Sequence, residues 1–428
     1  MRLPLIAVAC LLAAAPGLAT AQAPTTPPAL TLSDALRLAV QVSPAVKLRE
    51  AQLAAAEGAR HQASTLLANN PELSLERSRT QTRLTPPPDD RSSAWAVALA
   101  QSVEIGGQQA RRREAAAASL AALRAEIDDA RRQARGDAAL RFHAVLKAQR
   151  RIQIEQRSAA LFDSTAQAVD KRRAAGEDTR LDANVARVEA ERARNALAAA
   201  REQWLDARAD LATALQLPAA ALPDVAGDLA AGPVDTLPYS LEQLSASLPA
   251  LPRLRALAAH EQAARARLAT AHASRLPDLT LGLAVGREGP GAARERVTTL
   301  SVSMPLPLFQ RNEAGIGQAI SDVSTAEIER AGAVRDHDAQ LRRLWSRLAS
   351  QRERIQRTHA ALLPASADNQ LLAAKSRQAG QIGLLDQLLI SRQALDTERE
   401  LNDALADYHA TRIELESAAG WPQEGSSR

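Results

Sequence analysis

Arg172-Arg173-Ala174-Ala175-Gly176, followed by Leu181-Asp182, decides the fold because it is written twice. It returns 204 residues later as Arg377-Gln378-Ala379-Gly380, followed by Leu385-Asp386. Carried forward without a gap, the same offset sets Trp204 on Tyr408, Leu211 on Leu415 and Pro218 on Pro422. Upstream, Asn70-Pro71-Glu72-Leu73-Ser74-Leu75 falls on Leu276-Pro277-Asp278-Leu279-Thr280-Leu281. Solenoid repeats have periods of about 20–50 residues, so this unit is far too long to be one. It reads as a duplicated module that builds a pseudo-symmetric wall or ring, and hence as a component of an assembly.

Each copy has the same internal order. Thr31-Leu32-Ser33-Asp34 opens a first helix with N-cap chemistry, and Ala35, Leu36, Leu38, Ala39 and Val42 form its apolar face. Pro44 breaks it, and helix resumes to about Ala68, where Asn69-Asn70-Pro71 ends it. The period then changes to two: Leu73 and Leu75 alternate with Glu72, Ser74 and Glu76, while Trp95, Val97 and Leu99 alternate with alanines. This predicts a β-hairpin over about 71–105, with Thr85 to Asp90 as its loop and Gly106-Gly107 closing it. From Gln108 to Ala175 there is no proline, so one helix of roughly 100 Å is expected at about 1.5 Å per residue. Such a helix needs coiled-coil partners along its length. Gly176 to Thr179 forms a turn, and a return helix runs from about Arg180 to Gln216.

After a Pro/Gly-rich linker, 218–238, the second copy repeats the scheme. Helix runs from Leu241 to Ser274 with breaks at Pro249 and Pro252, and a hairpin is expected over about 277–305. Leu279, Leu281, Leu283 and Val285 alternate in one strand, Gly286 to Arg294 forms the loop, and Leu300, Val302 and Met304 alternate in the other. Pro305 and Pro307 make a rigid turn, a second long helix reaches about Ala379 with Pro364 inside it, and a return helix spans Leu384 to Ala419. The division is therefore a first repeat over 22–217, the linker, a second repeat over 239–422 and a tail over 423–428. The fold class is mostly α with a small β part. Four strands per chain cannot close a barrel alone, but three chains would. The outward row (Leu73, Leu75, Trp95, Val97, Leu99, Leu279, Leu281, Leu283, Leu300, Val302) would then face lipid, and Ser, Thr, Ala, Gly and Glu would line water.

Composition agrees. Aromatics are 2% of 428 residues, while Ala, Leu, Arg, Glu and Gln dominate, the mix of long helices and not of a bulky core. Met1-Arg2, the apolar run Leu3 to Leu18 and Ala19-Thr20-Ala21 read as a secretory signal peptide over 1–21. Cys10, the one cysteine, lies too early in that run for a lipidation site. The net charge of +4 comes from interspersed acids and bases, a pattern of solvated helix faces that argues against nucleic-acid binding.

Three motifs carry a family resemblance: Asn70-Pro71-Glu72-Leu73, Gln101-Ser102-Val103-Glu104-Ile105-Gly106-Gly107, and Pro305-Leu306-Pro307-Leu308-Phe309-Gln310-Arg311-Asn312. With the overall layout, they make the chain resemble the TolC-like outer-membrane efflux factors, and within them the CzcC-like branch of cobalt–zinc–cadmium type efflux. Gln108-Gln109 departs from the Lys-Arg expected of that branch. The resemblance implies a homotrimer with a transmembrane 12-strand β-barrel continued by an α-helical tunnel. It also implies a periplasmic adaptor and an inner-membrane pump of the resistance-nodulation-division (RND) type as partners. Its location would be the outer membrane of a Gram-negative bacterium, with a long periplasmic portion. The cargo implied is divalent heavy-metal cations, with drugs or a secreted protein as alternatives on the same fold. A periplasmic coiled-coil scaffold is the rival of another class.

By the same resemblance, the turns around Gly176 and Gly380 are the periplasmic tips, with Asp182 and Asp386 as pore candidates. Six carboxylates around one opening would attract cations. These carboxylates equally suit a plain structural role near a helix N-terminus. Three residues beyond each Asp, where the family can carry a second acid, stand Val185 and Leu389. No catalytic constellation, cofactor loop or metal site is expected. The histidines are scattered, and in Asp336-His337-Asp338 adjacent residues point to different helix faces. Trp204, Trp345 and Tyr408 are expected to be packing residues.

Overall fold

The computed structural model describes residues 29–83, 85, 90–230, 237–289 and 294–421. The segment read as a signal peptide, Pro422 and the C-terminal tail, and parts of both hairpin loops and of the linker fall outside them. Helices α1 (Leu32–Val42), α2 (Pro44–Ala51) and α3 (Leu53–Ser64) lead into strands β1 (Glu72–Thr82) and β2 (Asp90–Val103). The long helix α4 (Gln108–Ala174) and its return α5 (Arg180–Ala214) complete the first copy. The second copy has α6 (Leu241–Ser247), α7 (Pro252–Ala273), β3 (Leu279–Glu288) and β4 (Glu295–Ser303). It closes with α8 (Glu313–Arg357), a π-helical segment (Thr358–Leu362), α9 (Leu363–Gln378) and α10 (Leu384–Ala419).

Several boundaries differ from expectation. Helix α3 stops at Ser64, where the Ser64 hydroxyl donates to the His61 carbonyl and Thr65 donates to the Gln62 carbonyl. These local bonds compete with the helical ladder. Strand β3 runs on through Gly286, Arg287 and Glu288, residues expected in a loop, because Arg287 pairs with both Trp95 and Arg296. Gly286 is required there: a Cβ would lie 2.6 Å from the Trp95 carbonyl oxygen. The second long helix is not uniform. Pro364 has no N–H and its ring excludes the carbonyl four residues back, and the ladder widens into the π segment just before it.

The segment expected to link the copies lies against the helices along its described part. Leu222, Val225 and Leu229 are buried, Leu30 pairs with Val225, and the Arg208 guanidinium donates to the Leu222 carbonyl at 2.6 Å. Two apolar clusters hold the helices. The larger gathers Leu36, Phe142, Val145, Leu211, Leu215, Leu251, Leu344, Leu405 and Leu415 at mid-length, with Trp204 and Trp345 packed on its rim. Tyr408 is buried within it. The smaller, nearer the α4–α5 turn, is built on Ala183, Ala186, Ala190 and Ala193 against Phe162, Leu388 and Leu395. Alanines there allow the close helix approach that a coiled coil of small residues permits.

The four strands form one antiparallel sheet in the order β1-β2-β3-β4, leaving β1 and β4 as unpaired edges. Directly paired residues share a face, so the register can be read across it. Leu73, Leu99, Leu283 and Leu300 form one continuous row. Leu75, Val97 and Val285 form the next, and Leu281 with Val302 and Val103 with Leu279 form those on the other side. All ten residues assigned to the outward row therefore stand on one face, with Trp95 in the row beyond Val97. The opposite face carries Ser74, Ala98, Gly282 and Ser301.

Both strand-to-helix junctions are pinned to the end of α7. Gln108 is buried; its Oε1 accepts from the Gly106 N–H at 2.7 Å and its Nε2 donates to the Leu276 carbonyl at 3.0 Å. Asn312, in the left-handed region at φ 60°, donates to the Ala271 carbonyl at 2.9 Å. The glutamine that departs from the branch pattern is thus a structural clasp between the two copies.

Candidate functional site

The two helical turns at the end opposite the sheet are near-copies. Helix α4 ends where Gly176 takes φ +82°, with its N–H donating to the Arg173 carbonyl and that of Glu177 to the Arg172 carbonyl. Helix α9 ends identically: Gly380 takes φ +72°, its N–H donates to the Arg377 carbonyl, and that of Gln381 donates to the Ser376 carbonyl. This paired 5→2 and 6→1 pattern ends a helix on a left-handed residue, for which glycine carries no Cβ penalty.

The following helices start differently. In the first turn the Thr179 hydroxyl accepts from the Asp182 N–H at 3.1 Å, and the Asp182 carboxylate accepts from the Thr179 N–H at 3.0 Å. This reciprocal box satisfies two of the free N–H groups of a helix start. The Thr179 hydroxyl also donates to the Asp182 carboxylate at 2.6 Å, and these bonds hold its pKa below the usual aspartate value. In the second turn Gly383 stands in place of Thr179, so only the return bond from its N–H to Asp386, 3.3 Å, is made. Asp386 is exposed.

The turns are tied together by a residue that the sequence reading did not single out. Asp178 is only 4% exposed and lies between Arg172 of its own turn, 3.2 Å away, and Arg377 of the second turn, 2.6 Å away. At the repeat offset Arg377 corresponds to Arg173, but Asp178 corresponds to Ile382. That mismatch is the sequence signal for the tie. Two further carboxylates repeat the theme up the coil. Glu189 on α5 meets Arg392, and Glu155 on α4, fully buried, is held by Arg399 at 2.5 and 2.9 Å and by Arg151 at 2.7 Å. The double Arg399 contact is the two-point geometry at which guanidinium binds carboxylate most strongly. Among the described residues no three His, Cys, Asp or Glu side chains gather in a metal-binding group, and no helix is long and apolar enough to cross a membrane.

A duplicated helical hairpin on a four-stranded sheet with one apolar face is thus in place. The sequence profile of the family described as "Outer membrane efflux protein" matches residues 35–216 and again 244–421. The chain belongs to the outer membrane efflux protein family. It is an outer-membrane channel of the TolC-like fold, with its helices extending into the periplasm. The cobalt-zinc-cadmium resistance protein CzcC of Cupriavidus metallidurans is 27% identical over 388 residues, spanning 89% of this chain and 85% of the relative. Among solved structures, the outer membrane protein VceC of Vibrio cholerae superposes with a TM-score of 0.74 at 19% identity, covering 91% of this chain and 96% of that one. CusC, a protein described as forming a transmembrane channel, gives 0.76 at 16% identity, covering 91% and 92%. These two likenesses establish the fold.

Proposed function

We propose that the protein is the passive exit duct of a tripartite efflux system, working as a homotrimer with a periplasmic adaptor and an RND-type inner-membrane pump. The observation that carries the trimer is the sheet: an apolar face of ten residues bordered by two open edges. Unpaired strand edges are not tolerated in lipid, so β1 and β4 call for neighbours of their own kind. Three four-stranded sheets give the closed twelve-stranded barrel of the family. The tips at Gly176 and Gly380 then converge on the tunnel mouth, with Asp182 and Asp386 as its cation-facing residues and the Asp178–Arg377 tie holding it narrow.

The cargo we assign is divalent heavy-metal cations. The sequence likeness to a cobalt-zinc-cadmium resistance protein over most of both chains supports this. The tip and inner sheet face also carry carboxylates, which favour cation passage without a high-affinity site. Deleting the gene, loading cells in turn with zinc, cobalt and cadmium, and measuring retained metal against a complemented strain tests the assignment. Retention of one or more metals, reversed by complementation, is expected. Unchanged metal content in a strain lacking other outer-membrane ducts would refute it and favour drug or protein export.

A further inference from the structure

The sheet sorts its charges by sign. Arg77, Arg287 and Arg296 occupy one row with Trp95, through the pairs Arg77–Trp95, Trp95–Arg287 and Arg287–Arg296, and Arg79 stands one step beyond on the same face. Glu72, Glu76, Glu288 and Glu295 stand on the other face. The arginine row continues the lipid-facing leucine rows, at the hairpin end of the strands, away from the helices. Along β2, Val103 to Trp95 spans about 26 Å of strand, close to the height of an outer-membrane apolar band once tilt is allowed for. The row therefore lies at the outer headgroup level, where a tryptophan is at home.

Among the described residues these four arginines have no carboxylate within ion-pair distance, although most arginines on the helices have one, and the strand glutamates stand on the opposite face. Arg287 and Arg296 are direct cross-strand partners, a like-charge pairing that is unfavourable unless an anion lies between them. All four side chains are exposed.

Resting on the outer-membrane trimer reading, we propose that this row binds the phosphates of lipid A, the phosphorylated anchor of outer-leaflet lipopolysaccharide. Guanidinium groups bind phosphate oxygens through paired N–H donors, and three chains would present nine such groups as a girdle. The apolar rows below would take the acyl chains and the arginines the two sugar phosphates.

The test uses full-length trimer purified in detergent, titrated with bisphosphorylated lipid A and with the same lipid stripped of phosphate, and read by native mass spectrometry. The protein should favour the phosphorylated form by about a hundredfold, since each basic side chain near an anionic lipid surface contributes roughly a factor of five. The triple variant Arg77→Gln, Arg287→Gln, Arg296→Gln should lose that preference, and the matching triple Lys variant should keep most of it. If the triple Gln variant does not form trimers, Arg296→Gln alone should weaken the preference by about fivefold. Equal binding of both lipids by the wild type, or an undiminished preference in a folded Gln variant, overturns the proposal. So does equal preference for phosphatidylglycerol, which would mean phosphate recognition without lipid A selectivity. A chain absent from outer membranes would instead refute the trimeric channel reading itself.

Discussion

Replacing Asp178 with Asn removes one charge and almost no volume from the tie between the two tips. The wild-type carboxylate is 4% exposed and holds Arg172 at 3.2 Å and Arg377 at 2.6 Å, with Arg377 itself 15% exposed. Breaking a buried ion pair from one side costs about 3–5 kcal/mol, because the remaining charge is left without compensation. Arg172 is a third exposed and Asn keeps one acceptor oxygen, so a discounted cost of about 2–3 kcal/mol applies here. At about 1.4 kcal/mol per decade this shifts the tied-to-untied equilibrium by roughly 30- to 150-fold. The affected equilibrium is local to the tips: the larger apolar cluster lies at mid-length, and of the smaller one only its end, at Ala183 and Leu384, adjoins the turns. Single-channel recording of the proposed trimer, purified and placed in planar bilayers, reads the result: the fraction of time in the high-conductance state should rise by at least an order of magnitude. Asp386→Asn, which removes an exposed carboxylate from the other turn, should change it far less. Trimers of Asp178→Asn with wild-type conductance would refute the reasoning, as would equal effects of the two variants.

Arg399→Gln leaves the fully buried Glu155 with Arg151 as its remaining partner, and should lower stability by about 3 kcal/mol, measured by thermal or denaturant unfolding of the trimer. Leu300→Arg places a charge in the central apolar row and should cost about 2–4 kcal/mol of membrane stability, seen as loss of trimer from outer-membrane fractions. Gly176→Ala meets no atom within 4 Å but must hold φ +82°, so its cost of about 1–2 kcal/mol is purely conformational; Gly176→Asn should recover part of it in the same unfolding assay. Burial and then Arg132 depress the His337 pKa below 6.5, with Arg253 adding to this and Asp129 and Asp336 opposing it. Because the unfolded chain binds this proton more readily, the contribution is complete above 6.5 and declines as pH falls from 6.5 through the folded pKa. His337→Gln should flatten that part of a stability-versus-pH curve.

Elements with strong local punctuation were legible from sequence. Helix α10 begins at Leu384 and ends at Ala419 as read, between a glycine turn and Gly420, and α4 starts at Gln108 directly after a glycine pair. The period-two alternation placed every outward strand residue on one face, because a one-residue slip would have reversed them all. Gly286-Arg287-Glu288 looked like a turn, since the pairing that makes it strand comes from Trp95 and Arg296, far away in sequence. The packing of residues 219–230 was hidden for a similar reason: Leu222, Val225 and Leu229 have no local period and are buried by helices of both copies. The role of Asp178 is not legible in the sequence because turn acids usually serve caps, and in the structure Thr179 and Asp182 fill that role instead. Its partner lies 199 residues away.

The three buried ties share a direction. Asp178, Glu189 and Glu155 belong to the first copy, while Arg377, Arg392 and Arg399 belong to the second. At the 204-residue offset the acids correspond to Ile382, Gln393 and His359, and Arg392 and Arg399 correspond to Val188 and Asn195. The halves of the duplication have therefore diverged into a plug and a socket. A ring made of first halves alone would set Glu189 and Glu155 against valine and asparagine, with only Asp178 still facing an arginine, Arg173, and one made of second halves would leave Arg377, Arg392 and Arg399 without their carboxylates. Alternation of the two halves satisfies all three ties, so a change at one member has to be matched across the duplication by its partner in the other copy.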